Sequence, residues 1–277
     1  MKKCGAVFLV MFNSICDWVN ENYEISYILG VGSLALTAWA LDPKKRSKRA
    51  WGAFAAAVAL GAALEPCVNV QSQTYGPVLS HGSRQVKQIA LTFDDGPSEY
   101  TEPLLDLLAE EGVKATFFCV GQKVREFPDL VRRAEEEGHL VGTHSWSHRN
   151  LLGCLPAASR REIIGGAQAV DKVLGRYPQW FRPPYGMRYP WTLLQARQSG
   201  LSTVLWSNCP RDWLRPGAKV IARRVIGSLQ PGDIVLLHDG GGDRSQTVTA
   251  VRFLIRYLLS QGYEFVRVDE LVRESDV

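Results

Sequence analysis

The 277-residue chain is 46% hydrophobic and 22% charged, enough apolar material for one globular core and unlike a disordered or fibrous composition. Its formal net charge is +4, and Lys44-Lys45-Arg46-Ser47-Lys48-Arg49 alone carries five positive charges, so the remainder is slightly acidic and offers no broad basic surface for nucleic acid. Six cysteines without a CxxC spacing are too few to staple a chain of this length.

The basic cluster at 44–49 lies between two apolar stretches, about 25–41 and 51–66. They read as one or two membrane segments around a cytoplasmic basic loop, or the second reads as a signal-type segment with the cluster as its charged start. Either way, the chain beyond about residue 70 falls on the outer side of the membrane, anchored or secreted after cleavage. A pair of soluble helices is the remaining alternative. Residues 71–84 are polar and turn-rich and read as a linker, leaving 85–277 as the main domain.

Within 85–277, strands and helices alternate. Ile89 to Phe93 reads as a buried strand, Thr101 to Gly112 as a helix with an early proline and a terminal glycine, and Ala115 to Val120 as a strand. Pro128 to Gly138 repeats the helix pattern, and His139 to Gly142 follows as a short strand. Helices are expected at Ser159 to Leu174, Pro190 to Gln198, Lys219 to Leu229 and Gln246 to Ser260, with strands at Ser202 to Trp206, Ile234 to Leu237 and Glu264 to Val268. This alternation argues for an α/β fold with a parallel barrel.

The chemistry-bearing residues sit at strand ends. Thr92-Phe93-Asp94-Asp95-Gly96-Pro97 closes the first strand, and because neighbouring strand residues face opposite ways the two carboxylates can take different jobs. Taken alone, Asp-Asp-Gly-Pro is equally an ordinary turn. His144-Ser145-Trp146-Ser147-His148 shifts the balance, since on a helical turn two imidazoles four apart reach one cation. His238 follows the apolar run Ile234 to Leu237. Two histidines and a carboxylate suit one divalent metal, zinc foremost, with cobalt, nickel and manganese also able to occupy such a site.

These residues resemble the motifs of the polysaccharide deacetylases with a NodB homology domain, the family-four carbohydrate esterases. Thr92 to Gly96, His144 to His148, Arg182-Pro183-Pro184-Tyr185-Gly186, Asp212-Trp213 and Leu236-Leu237-His238 match five motifs in order, over roughly residues 85 to 272. The resemblance implies a distorted, incomplete (β/α) barrel in which Asp95, His144 and His148 hold the metal and Asp94 is the general base. It further implies that Arg182 holds Asp94 ionised and oriented while Asp212 fixes the guanidinium, and that His238 protonates the leaving amine. Tyr185 and Pro184 belong to the loop expected to stabilise the oxyanion, with Trp213 and Leu236 lining the substrate site. One position departs: Cys209 stands about where the family commonly has an acid before the Asp-Trp pair.

The implied partner is an N-acetylated glycan, peptidoglycan or a chitin-like polymer, losing acetate. A membrane-tethered carbohydrate binder without turnover and an amidohydrolase of small non-sugar amides are the alternatives. Cys154 and Cys209 both lie near these motifs, which makes a bridge between them conceivable outside the cell; Cys119, inside an expected strand, reads as a buried thiol.

Overall fold

The computed structural model describes residues 48–271. It divides into two units, Met1–Asn69 and Val70–Val277. In the first, α1 (Lys48–Val68) covers the second apolar stretch and contains Pro66. Among the described residues no helix is long and apolar enough to cross a membrane, and the stretch at 25–41 lies outside them.

The second unit is built on seven parallel strands: β1 (Gln88–Asp94), β2 (Thr116–Cys119), β3 (Leu140–Thr143), β4 (Trp180–Phe181), β5 (Ser202–Thr203), β6 (Asp233–His238) and β7 (Glu264–Phe265), in the order β5-β4-β3-β2-β1-β6. β6 pairs along β1 from Ile89 to Asp94, while β2 takes the upper half of the other edge and β7 its base. The gap between β5 and β6 is spanned by one isolated bridge, Asn208 with Val235, backed by hydrogen bonds from Leu236 to Asn208 and from Ser207 and Asn208 to Ile234. This is the distorted, incompletely laddered α/β barrel expected.

Helices α2 (Thr101–Glu110), α3 (Gly121–Glu126), α4 (Pro128–Glu136), α5 (Pro156–Leu174), α6 (Pro190–Gln198), α7 (Ala218–Ser228) and α8 (Ser245–Ser260) connect the strands. Their apolar stripes meet the odd positions of β1: Ile89, Leu91 and Phe93 join Leu104, Leu108, Val251 and Leu254 in the main core. Even positions point the other way, so Ala90 packs with Phe118, Trp180 and Ile234 in a smaller core. Thr92 and Asp94 share that inner face by the two-residue period of a strand.

Sequence and structure differ where elements are too short to carry a period. The six-residue α3 and the two-residue β4 went unforeseen. β5 stops at Thr203 rather than Trp206 because the next residue, Val204, bridges Leu79, whose carbonyl then accepts from Leu205. β7 likewise ends at Phe265, with Val268 donating to the Thr116 hydroxyl instead of a strand. Residues 71–84, read as a linker, are tied down: Leu79 donates to Thr203, His81 bridges Asp233 and Gly82 donates to Gly232. Polarity suggested a tether, but these groups are satisfied by the barrel rather than by water.

Candidate metal centre

β1 ends by delivering Asp94 into the barrel and Asp95 just beyond it. Asp95 has φ 72, a left-handed conformation in which it leaves the strand direction and swings its carboxylate toward the next loop. Gly240 makes room for this turn, since a Cβ there would lie 2.2 Å from the Asp95 carbonyl oxygen. The loop from β3 then brings in both histidines. It is not the helical turn expected: Ser145 (φ 67) and His148 (φ 57) are both left-handed, and these reversals set the rings 5.0 Å apart.

Asp95 Oδ1 lies 2.9 Å from His148 Nε2 and 3.6 Å from His144 Nε2. Although buried, that oxygen makes no hydrogen bond of normal geometry. One ligand atom from each of Asp95, His144 and His148 falls within 4.8 Å of the others. His144 is oriented from behind, its Nδ1 2.7 Å from the Arg182 carbonyl, so Nδ1–H donates and the Nε2 lone pair faces the cluster. An orphaned carboxylate oxygen facing imidazole nitrogens is the donor set of a divalent cation, and the three residues fit one.

Beside this cluster, Asp94 and Arg182 form a buried ion pair. Arg182 Nη1 donates to Asp94 Oδ1 (2.8 Å) and to Thr92 Oγ1 (2.7 Å), and Nη2 donates to the Leu205 carbonyl (2.9 Å). The guanidinium lies over the Phe118 ring at 4.2 Å. Asp94 Oδ2 stays free of the arginine and stands 3.7 Å from His144 Nε2.

Asp212 does something other than expected. Its Oδ1 is 2.8 Å from His238 Nδ1, and its Oδ2 accepts from the His238 backbone N–H and from Thr247 Oγ1. That carboxylate is fully used at the β6 end, while Arg182 spends Nη1 on β1 and Nη2 on the Leu205 carbonyl and keeps Nε buried without a partner, so no Asp212–Arg182 pair forms. Trp213 packs edge-on against His238, centroids 5.3 Å apart, and the half-exposed Tyr185 packs against His148 at 4.8 Å. Pro184 opens a short 3-10 turn, Pro184–Gly186. Leu236 is buried on the His238 face of β6.

The polysaccharide deacetylase family model matches residues 81–204. A peptidoglycan-N-acetylglucosamine deacetylase of Bacillus cereus is 43% identical over 190 residues, 68% of this chain and 89% of that protein. The chain belongs to the polysaccharide deacetylase family. A chitooligosaccharide deacetylase of Bradyrhizobium is 39% identical over 212 residues, 72% of this chain and 94% of that protein. A solved peptidoglycan N-acetylglucosamine deacetylase, in complex with a naphthyl-substituted N-oxidanyl-benzamide, matches with TM-score 0.68 at 34% identity, over 70% of this chain and 92% of that one.

The electrostatics of this deacetylase sort its groups by role. Burial pushes Asp95 up, but His148, His238 and His144 together hold its carboxyl well below the usual range. Burial takes His144 down to about 4, against the pull of Asp94 and Asp95, leaving the neutral ring that ligation needs. His148 is also opposed by burial, yet contact with Asp95 raises it. Burial would lower His238 too, but Asp212, helped by Asp95 and Asp94, outweighs it and lifts the ring to about 9, so it carries a proton at neutral pH. Burial pushes the Cys209 thiol up to about 12; it stays an uncharged thiol outside the ligand cluster, and neither it nor Cys154 is bridged.

Sequence reasoning missed Thr92 and Thr247, whose hydroxyls brace Arg182 and Asp212. Thr92 stood within the first motif, where its inward parity with Asp94 was the available signal. Thr247 is brought in by α8 and had no local signal. Asp239, next to His238, was also passed over: it is buried, accepts from Thr101 Oγ1 at 2.5 Å, and burial raises it to about 7.

Proposed function

We propose that this deacetylase is a metal-dependent hydrolase of the N-acetyl amide of N-acetylglucosamine units, in peptidoglycan first and chitin-like oligomers second. The observation that carries the reading is the division of labour between adjacent carboxylates: Asp95 faces two imidazole nitrogens, whereas Asp94 is held by an arginine and keeps one oxygen toward the same space.

Asp95, His144 and His148 would hold a divalent cation, zinc by donor type, which when bound supplies Lewis acidity toward an amide carbonyl and lowers the pKa of water. Every remaining step belongs to the chain. Asp94 Oδ2 takes the proton of the attacking water as its oxygen bonds to the acetyl carbon. Arg182 keeps Asp94 aimed, and Thr92 and the Leu205 carbonyl keep Arg182 aimed. His238, protonated and oriented through Nδ1 by Asp212, gives its Nε2 proton to the nitrogen as the C–N bond breaks. The products are acetate and a free glucosamine amine. The Tyr185 turn is the proposed oxyanion donor, with Trp213 and Leu236 beside the sugar.

The basic cluster at 44–49 between two apolar stretches supports an extracytoplasmic site, tethered or secreted, where such polymers lie. The test is acetate release by the full chain from N-acetylglucosamine oligomers and purified peptidoglycan, with zinc and with chelator. Release that stops with chelator and returns with zinc is expected; a folded, zinc-loaded chain that releases none from either glycan contradicts the reading.

A further inference from the structure

Against the loop that carries His144 and His148 runs a groove of about 870 Å³ between α3 and α5. Its lining includes Arg125, Arg160, Arg161 and Lys172, all exposed, and no aspartate or glutamate. Among the described residues none of these four cations is in an ion pair. The acid closest in sequence to the arginine pair, Glu162, is turned away: its carboxylate accepts from the Ser147 N–H (2.9 Å) and Oγ (2.8 Å). Along α5, Arg160 and Arg161 stand at one end of the groove and Lys172 at the other, about 18 Å apart at 1.5 Å per residue, with the neutral Gln168 between them.

Trp146 ties the groove to the site. It lies two residues from each of His144 and His148, lines the groove, and carries the Arg125 guanidinium 5.5 Å from its ring centroid. α5 sits flush on this loop: a Cβ at Gly165 would be 3.3 Å from the Trp146 Cβ, and one at Gly166 would be 2.5 Å from the Ser145 backbone. The wall of the groove and the metal loop are thus one packed body.

Four unpaired cations with a half-buried aromatic and no acid form a receptor for carboxylates or phosphates displayed along a flexible chain. We propose that this groove binds anionic groups pendant on the glycan, and so directs the deacetylase to peptidoglycan, whose strands carry carboxylate-bearing peptides, over neutral chitin-like oligomers. This rests on the deacetylase reading and narrows its substrate. Long cationic side chains at exposed helix positions tolerate replacement by glutamine without loss of fold.

The test uses the full chain and the triple variant Arg160→Gln, Arg161→Gln, Lys172→Gln, none of them in the catalytic machinery. Co-sedimentation with purified peptidoglycan in chelator, where turnover does not consume the polymer, reads binding directly. The expected result is a loss of about tenfold in apparent affinity, roughly twofold per exposed charge, with the same loss for the parent chain in high salt. In turnover, KM on peptidoglycan rises by a similar factor while kcat, and both constants on N-acetylglucosamine oligomers, stay within about twofold. Unchanged sedimentation, or an equal rise of KM on both glycans, overturns the proposal. A parent chain that deacetylates neither glycan defeats the deacetylase reading instead, and the sedimentation still decides the groove.

Discussion

On β1, Ile89, Leu91 and Phe93 enter the main core beneath the helices, whereas Thr92 and Asp94, on the opposite face, meet the guanidinium of Arg182. The outward face is held by apolar area that any residue of similar size and shape can supply. The inward face is held by a few directed bonds in which each partner is needed by another. Stability is therefore spread over one face and function concentrated on the other, and substitutions should separate the two.

The sharpest break is Arg182→Met. Removing one member of a fully buried ion pair leaves the other charge uncompensated, at a cost of about 3–5 kcal/mol. Denaturant unfolding should show that loss, and acetate release per folded molecule should fall by about a hundredfold or more as Asp94 loses its aim. Survival of either at its original level would mean the pair does not position the base.

Leu91→Ala tests the other face. A fully buried leucine truncated in a close-packed core costs about 2–5 kcal/mol. Turnover per folded molecule should stay within about twofold at a temperature where both chains are folded, and a selective loss of kcat would collapse the distinction between the faces.

Asp212→Asn has a smaller, pH-dependent signature. Asp212 lifts His238 from 6.5 to about 9, so the acid form is present below that value and lost above it. Without the carboxylate the ring's pKa falls back from about 9, burial then opposing only the remaining pull of Asp95 and Asp94. The alkaline limb of kcat/KM should move from near 9 toward neutrality, with little change at pH 6. Protonation linkage gives the matching stability effect: the stabilisation from a raised folded pKa is full below about 6.5 and disappears as pH rises through about 9, so the variant's deficit should shrink at high pH. An unmoved alkaline limb would assign the proton donor elsewhere.

Much of this was legible in the sequence, for reasons visible at particular residues. The strand ending in Thr92-Phe93-Asp94 and the helices with early prolines at Pro128 and Pro190 carry local signals, and the structure places them within a residue or two. The cluster of Asp95, His144 and His148 was legible as residue types in motif order. The loop conformation was not, because the left-handed turns at Asp95, Ser145 and His148 fall on residues whose side chains do not demand them; tertiary packing against Gly166 and Gly240 does. The partner of Asp212 was misread for a related reason. Which cation a carboxylate meets is decided by how β4 and β6 sit in the sheet, not by spacing along the chain. The interior tie of residues 71–84 was hidden because backbone bonds such as Leu79 to Thr203 leave no trace in polarity.

The division of labour between the two adjacent carboxylates is tested most directly by measuring bound zinc and acetate release together for Asp94→Asn and Asp95→Asn. The account predicts that Asp94→Asn retains about one zinc per chain and loses acetate release by about a hundredfold to ten-thousandfold, while Asp95→Asn loses zinc at the outset. Loss of zinc in Asp94→Asn, or full zinc with normal turnover in Asp95→Asn, would contradict it.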